Sequence, residues 1–315
     1  MMTVEHGPAA WEIPPIGVGT ASWGSPYPSV PQEQAIELVH YALSAEKAFF
    51  DTAPAYAHGL SEQWLGQGLR GVDRQRFIVS SKAGHGYGDD GKFFWDWSRE
   101  GILRSVETSR SRLGIEQIDI LHLHDLDSHY KEALSGAYPT LLELRQQGVI
   151  RAIGAGVTRW QTLLKLVRDA DFDCFLLAGR YTLLEQGALE LLDGCQQKGI
   201  AIFLGGVYNS GILATGAVPG ARYEYRPASP EILERVRSIE KVCARYAVPL
   251  QAAALQFPLA HPAVKTLVIG SSSAEEHRST LSFQCLPIPP EMWLELRSEG
   301  LLNPRVPAPG SPPCG

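Results

Sequence analysis

The 315-residue chain is short of positive charge: 28 lysines and arginines stand against 34 aspartates and glutamates, a formal net charge of -6. Such a chain has no basic field to attract a phosphate backbone or an anionic bilayer, so no nucleic acid and no membrane are expected as partners. Nowhere do eighteen apolar residues run together, and the start, MMTVEHGPAAWEIPP, has no basic stretch ahead of an apolar core. Neither a membrane span nor an export signal is therefore expected, and the chain reads as cytoplasmic. Cysteine is scarce: Cys174, Cys195, Cys243, Cys285 and Cys314 are scattered and form no CxxC pair. That pattern argues against a zinc or dithiol motif, and the five read as reduced thiols that mostly fill the core, with no metal expected.

A hydrophobic share of 44% and a charged share of 20% describe an ordinary folded globule. Short apolar runs alternate with helical patterns along the whole chain. The runs are IGVGTA (16–21), AFFDTA (48–53), RFIVSSK (76–82), IDILHLH (118–124), VIRAIGAG (149–156), DCFLLAG (173–179), IAIFLGG (200–206) and TLVIG (266–270). Between them lie stretches whose apolar spacing gives each helix one buried stripe, the last covering SAEEHRSTLSF (273–283). Strands apolar on both faces that alternate with helices predict a covered parallel sheet, and eight such units predict an α/β fold closed as a (β/α)8 TIM barrel. The rival, an open dinucleotide-binding sheet, needs GxGxxG after its first strand. Here Gly17 and Gly19 are followed by no glycine until Gly24, so that spacing fails. One barrel domain over 1–303 is expected, with a flexible Pro/Gly-rich tail at 304–315. The aromatic segment 83–98 reads as a long loop of the kind that often forms a lid.

In a barrel, reactive groups collect where strands end and helices begin. Asp51 closes AFFD, Tyr56 follows it, Lys82 closes FIVSSK and His124 closes IDILHLH. Alternation puts Ser80 and Lys82 on one face, and His122 and His124 on one face. His124, one pleat nearer the strand end, is the better catalytic candidate; His122 reads as a deeper, hydrogen-bonded filler. A buried ammonium and a buried carboxylate resolve each other's cost by pairing, which by itself is a structural role. A phenol beside that ammonium acquires a chemical one, because positive charge lowers a pKa ordinarily near 10.

These residues carry a resemblance. The segment from Asp51 through Tyr56 to Glu62, the pair Ser81-Lys82 and the run Ile118 to His124 resemble the signature of the aldo-keto reductases. Residues 173–186, 209–216 and 252–262 are similar to the branch of that family containing aldose, L-galactose and pyridoxal dehydrogenases. The resemblance runs from about Ile16 to Leu302. It implies a barrel holding an extended nicotinamide cofactor, NAD or NADP, with Asp51, Tyr56, Lys82 and His124 as catalytic tetrad. It implies cofactor contacts at Thr20, Thr158, Gly205, Gly206, Ser210, Gly211 and Leu213. The phosphate end would lie at Ile269, Gly270, Ser271, Ser272, Ser273 and Glu276. Where NADP-preferring relatives place Lys or Arg, this loop has Gly270, Ser272 and Glu276, so NAD is expected over NADP. Trp23, Trp95, Trp97, Tyr208, Asn209 and Arg222 are the expected substrate contacts, for a sugar or pyridoxal-like small molecule.

The implied activity is oxidation of the C1 hydroxyl of an aldose such as L-fucose or L-galactose. Pyridoxal 4-dehydrogenase and general carbonyl reductase activity are the alternatives. More remote ones are a lyase forming a Schiff base through Lys82 and a cofactor-sensing partner protein without turnover.

Overall fold

Segments apolar on both faces must be covered on both sides, and the chain achieves this by closing its strands on themselves and laying helices outside. The computed structural model describes residues 7–24, 30–88 and 91–310. The barrel strands are β1 (Ile16–Gly19), β2 (Ala48–Asp51), β3 (Phe77–Ala83), β4 (Ile118–His124), β5 (Ile150–Val157), β6 (Cys174–Ala178), β7 (Ala201–Gly205) and β8 (Val264–Gly270). Each pairs in parallel with the next, and β8 closes on β1, so the eight expected strands form the expected barrel. Phe49, Ile78, Ile120, Phe203 and Val268 fill the interior, with Ile13 and Trp11 packed against the same cluster.

The main helices are α1 (Gln32–Ala42), α2 (Leu60–Gly68), α3 (Arg99–Leu113), α4 (Tyr138–Gln146), α5 (Trp160–Asp169), α6 (Leu189–Lys198), α7 (Pro230–Arg245), α8 (Leu250–Leu259), α9 (Ala274–Gln284) and α10 (Pro290–Ser298). Their boundaries follow local chemistry. Ser98 caps α3 by accepting from the Gly101 N–H, and Gly114 ends it at φ 67, where glycine is at no disadvantage. On α5 the i, i+3, i+4 set Leu163, Leu166 and Val167 is buried, each side chain contributing roughly 1.5–3 kcal/mol.

Several details depart from the sequence reading. The segment 83–98 is not a plain loop: His85–Tyr87 and Phe93–Trp95 form an antiparallel hairpin in which His85 pairs with Trp95. α10 was not expected, because its apolar residues Met292, Trp293 and Leu296 sit in a proline-rich stretch that reads as coil. Cys174, Cys195 and Cys243 are free and buried, whereas Cys285, exposed at the end of α9, is disulfide-bonded, a correction to the expectation of a reduced thiol there. Within the tail, Val306 is buried in the core, and its carbonyl accepts from the Arg297 guanidinium at 2.8 Å. No described helix is long and apolar enough to cross a membrane.

Candidate active site

The C-terminal ends of β2, β3 and β4 bring Asp51, Lys82 and His124 together. Asp51 and Lys82 are both buried, and Lys82 Nζ lies 2.7 Å from Asp51 Oδ2. The ammonium also donates to the Thr52 carbonyl at 2.8 Å, and Ser80 Oγ donates to Asp51 Oδ1 at 2.8 Å. Both charges are therefore satisfied out of water, the condition under which a buried pair is tolerated.

Tyr56 enters from the turn after β2. That turn places Ala57 at φ 46 and His58 at φ 56, a left-handed conformation that non-glycine residues adopt at a cost and that clusters near functional sites. Tyr56 is half-buried, and Lys82 Nζ lies 4.7 Å from its ring centroid. Burial raises the phenol pKa, and the Lys82 charge opposes that rise without cancelling it. The ammonium thus acts in the expected direction, but desolvation outweighs it and the phenol is neutral at rest. On Lys82, burial works against the charge, while Asp51 and Tyr56 outweigh it and hold the pKa above the ordinary lysine value.

His124 meets Tyr56 edge to face, ring centroids 6.0 Å apart. Burial, and then Lys82, His85 and His122, hold its pKa well below the ordinary value, so the ring is neutral. Its Nδ1 has no hydrogen-bond partner among the described residues. His122, beneath it, is pushed down to about 3 by burial and by Lys82. Neither His122 nitrogen has a hydrogen-bond partner among the described residues, which corrects the expectation of a hydrogen-bonded filler. Room for this ring comes from Gly154, where a Cβ would stand 2.1 Å from His122 Nδ1.

The expected cofactor residues line the rim. Thr20 Oγ1 and Ser271 Oγ, at the ends of β1 and β8, are buried with no hydrogen-bond partner among the described residues. Among the described residues, a Cβ on Gly270 would meet nothing within 4 Å, and one on Gly205 only Ala178 at 3.8 Å. Open backbone beside orphaned hydroxyls fits an extended dinucleotide, whose oxygens would satisfy them. Ile269 and Leu213 are buried and can offer only backbone; Thr158, Gly206 and Ser210 are exposed. Gly211, at φ 94, follows Asn209 and Ser210 in a left-handed run. Ser273 caps α9, and Glu276 reaches back so that its Oε2 accepts from the Ser272 N–H at 2.7 Å and Ser272 Oγ at 2.6 Å. A carboxylate therefore already engages this helix N-terminus, a place that favours anions.

The expected substrate contacts divide. Trp95 keeps an exposed face near the site, and Arg222 is exposed on a two-residue hairpin strand. Tyr208 is half-buried against the core. Trp23 is a correction: it is fully buried and its Nε1 donates to the Ser271 carbonyl, so it braces the loop after β8. Trp97 is another, buried beneath Trp95 in a stack of 5.8 Å. Asn209 is a third, because its amide is engaged by Thr182 Oγ1 at 2.7 Å and the Gly179 carbonyl at 3.2 Å. His85 was missed. Its signal was position, three residues past Lys82 at the end of a barrel strand, obscured by the apparent loop around it.

The Aldo/keto reductase family model matches residues 15–298. The chain is 36% identical over 316 residues to D-threo-aldose 1-dehydrogenase of a Pseudomonas species, covering 93% of this chain and 96% of that one. It is 36% identical over 323 residues to pyridoxal 4-dehydrogenase of Microbacterium luteolum, covering 91% and 94%. Among solved structures, an aldo-keto reductase from Bacillus halodurans in its holo form superposes with TM-score 0.78 at 25% identity, covering 95% of this chain and 96% of that one. Strand order, the grouping at the strand ends and similarity along almost the whole chain agree: the protein belongs to the aldo/keto reductase family and is an oxidoreductase that works with a nicotinamide cofactor.

Proposed function

We propose that the protein is an NAD-preferring aldose 1-dehydrogenase that oxidises the C1 hydroxyl of a cyclic aldose such as L-fucose or L-galactose to a lactone. The observation that carries the chemistry is the Lys82 ammonium, fixed by Asp51 and lying against the Tyr56 ring. A bound nicotinamide supplies the hydride chemistry at the carbon. Tyr56 exchanges the proton at the oxygen, taking it from the substrate hydroxyl in oxidation and giving it to a carbonyl in reduction. Lys82 stabilises the phenolate that oxidation requires, and the neutral His124 ring orients the reacting oxygen. Because Lys82 is held protonated, it is a poor nucleophile, and a Schiff-base reaction has no support.

The NAD preference rests on Glu276, whose carboxylate bonds with Ser272 where a 2′-phosphate would seek donors and would instead meet like charge. Pyridoxal is the second reading, favoured by the aromatic wall in which Trp95 packs against His129 and His85, with ring centroids 4.7 and 4.6 Å away. Cofactor absorbance, followed while L-fucose, L-galactose and pyridoxal are offered with NAD or NADP, tests both readings. Tyr56→Phe is expected to lose about 10²–10⁴-fold in kcat while cofactor affinity is kept. Near-normal turnover in that variant refutes the assignment.

A further inference from the structure

His85 has no role in the reading above, yet it is buried beside His124, 7% exposed. Neither of its ring nitrogens has a hydrogen-bond partner among the described residues. Leaving such a group unsatisfied is costly, and a ligand removes that cost when it supplies the partner. Ring contacts hold the side chain: it stacks on His124 at 4.1 Å with 23° between planes, and Trp95 meets it at 4.6 Å. Asp125 Oδ2 lies 3.6 Å from His85 Nε2 and 3.8 Å from His124 Nε2, just beyond hydrogen-bond length. Asp125 is itself in the left-handed region at φ 52, pinned there by its N–H to the Gly156 carbonyl at 2.8 Å. Three polar groups thus face one another within 4.8 Å without hydrogen-bonding one another.

A single metal ion suits this arrangement poorly. Imidazole lone pairs lie in the ring planes, and two stacked planes 23° apart do not converge at a metal–nitrogen bond length of about 2 Å. A hydroxyl oxygen suits it well, because it can accept from an imidazole N–H and donate to a carboxylate at the same time.

We propose that His85, together with Asp125, binds the oxygen on the carbon next to the reacting one, and so selects substrates with two adjacent oxygens. This rests on the reading in which Tyr56 and His124 hold the reacting oxygen. The ring stacked on His124 then offers its own nitrogen within 4.8 Å of that of His124, so the two imidazoles can hydrogen-bond to different oxygens of one small substrate. The preferred substrate class is a C1 hydroxyl with a free C2 hydroxyl, or an aldehyde with a hydroxyl on the carbon next to the carbonyl. A plain alcohol or aldehyde leaves His85 unsatisfied.

The test compares kcat/KM for an aldose against its 2-deoxy counterpart, and for glycolaldehyde against acetaldehyde, in wild type and in His85→Phe. Phenylalanine keeps the stack and removes only nitrogens that have no hydrogen-bond partner among the described residues. A ratio of two substrates on one preparation is also independent of the fraction of enzyme that is folded. Wild type is expected to favour the hydroxylated member by about tenfold or more, and His85→Phe to bring the ratio near one. His85→Asn, which returns an amide donor, should recover part of the preference. A wild type that treats both members alike, or a ratio unchanged in His85→Phe, overturns the proposal. If aldehydes turn over and sugars do not, the aldose reading fails while the aldehyde pair still decides the role of His85. No turnover of either pair overturns both.

Discussion

Two aspartates sit buried at opposite ends of the barrel, and they are satisfied in different ways. Asp119, near the start of β4, accepts from Arg74 at 2.5 Å, Arg151 at 2.7 Å and the Val79 N–H at 2.8 Å. Its two guanidinium side chains are 36% and 43% exposed, so water shares the charge balance. Asp51, at the end of β2, faces an ammonium only 1% exposed, which also engages Tyr56. The first network ends in itself. The second leaves part of its charge directed at a group that can exchange a proton, and around it the nitrogens of His85 and His122 have no hydrogen-bond partner among the described residues. A buried carboxylate alone therefore does not distinguish support from chemistry; what its partner touches next does.

The contrast is open to direct tests. Asp51→Asn is expected to have the largest effect, because it strands the Lys82 charge: a loss of about 3–5 kcal/mol of stability and of most turnover, by denaturant unfolding and cofactor-coupled assay. Asp119→Asn should cost about 1–3 kcal/mol and leave turnover within about twofold. Comparable turnover losses in the two variants would end the distinction.

A smaller effect comes from His122, and its sign is set by the direction of its shift. The folded state holds the ring at about 3 against an ordinary 6.5, so the unfolded chain binds the extra proton first. The stability this group contributes is complete above 6.5 and is lost as pH falls toward 3. By roughly pH 5 the loss is about 2 kcal/mol. His122→Leu should flatten that part of the acid limb in stability measured against pH; an unchanged slope would show that His122 does not titrate as described.

Smallest of all is the rim. Glu276→Gln removes the charge but keeps an acceptor for Ser272, and is expected to shift the NADP-to-NAD ratio of kcat/KM by about tenfold toward NADP, some 1.4 kcal/mol. A shift in the other direction would remove the basis for the NAD preference.

Much of the fold was legible along the chain, because barrel strands are covered on both faces and read as apolar runs, as AFFD and FIVSSK do. The polar residues that break those runs at their ends, Asp51, Lys82 and His124, were legible for the same reason. Tyr56 stands outside any strand; it was marked by following Asp51 and by the chemistry of a phenol beside an ammonium, and the resemblance strengthened that reading. His85 was hidden because alternation in HGY and FFW is too short to mark a hairpin, and α10 because prolines surround its apolar triplet.

The chain by itself determined eight strands, the cover of helices and the residues at the strand ends, since local periodicity and apolar content act over a few neighbouring residues. Tertiary structure alone decided that Trp23 and Trp97 are buried, that Glu276 turns back onto Ser272 and that His85 lies against His124. It also decided that burial outweighs the ammonium at Tyr56. Desolvation and stacking depend on groups brought together from distant parts of the chain, and no stretch of sequence carries their balance.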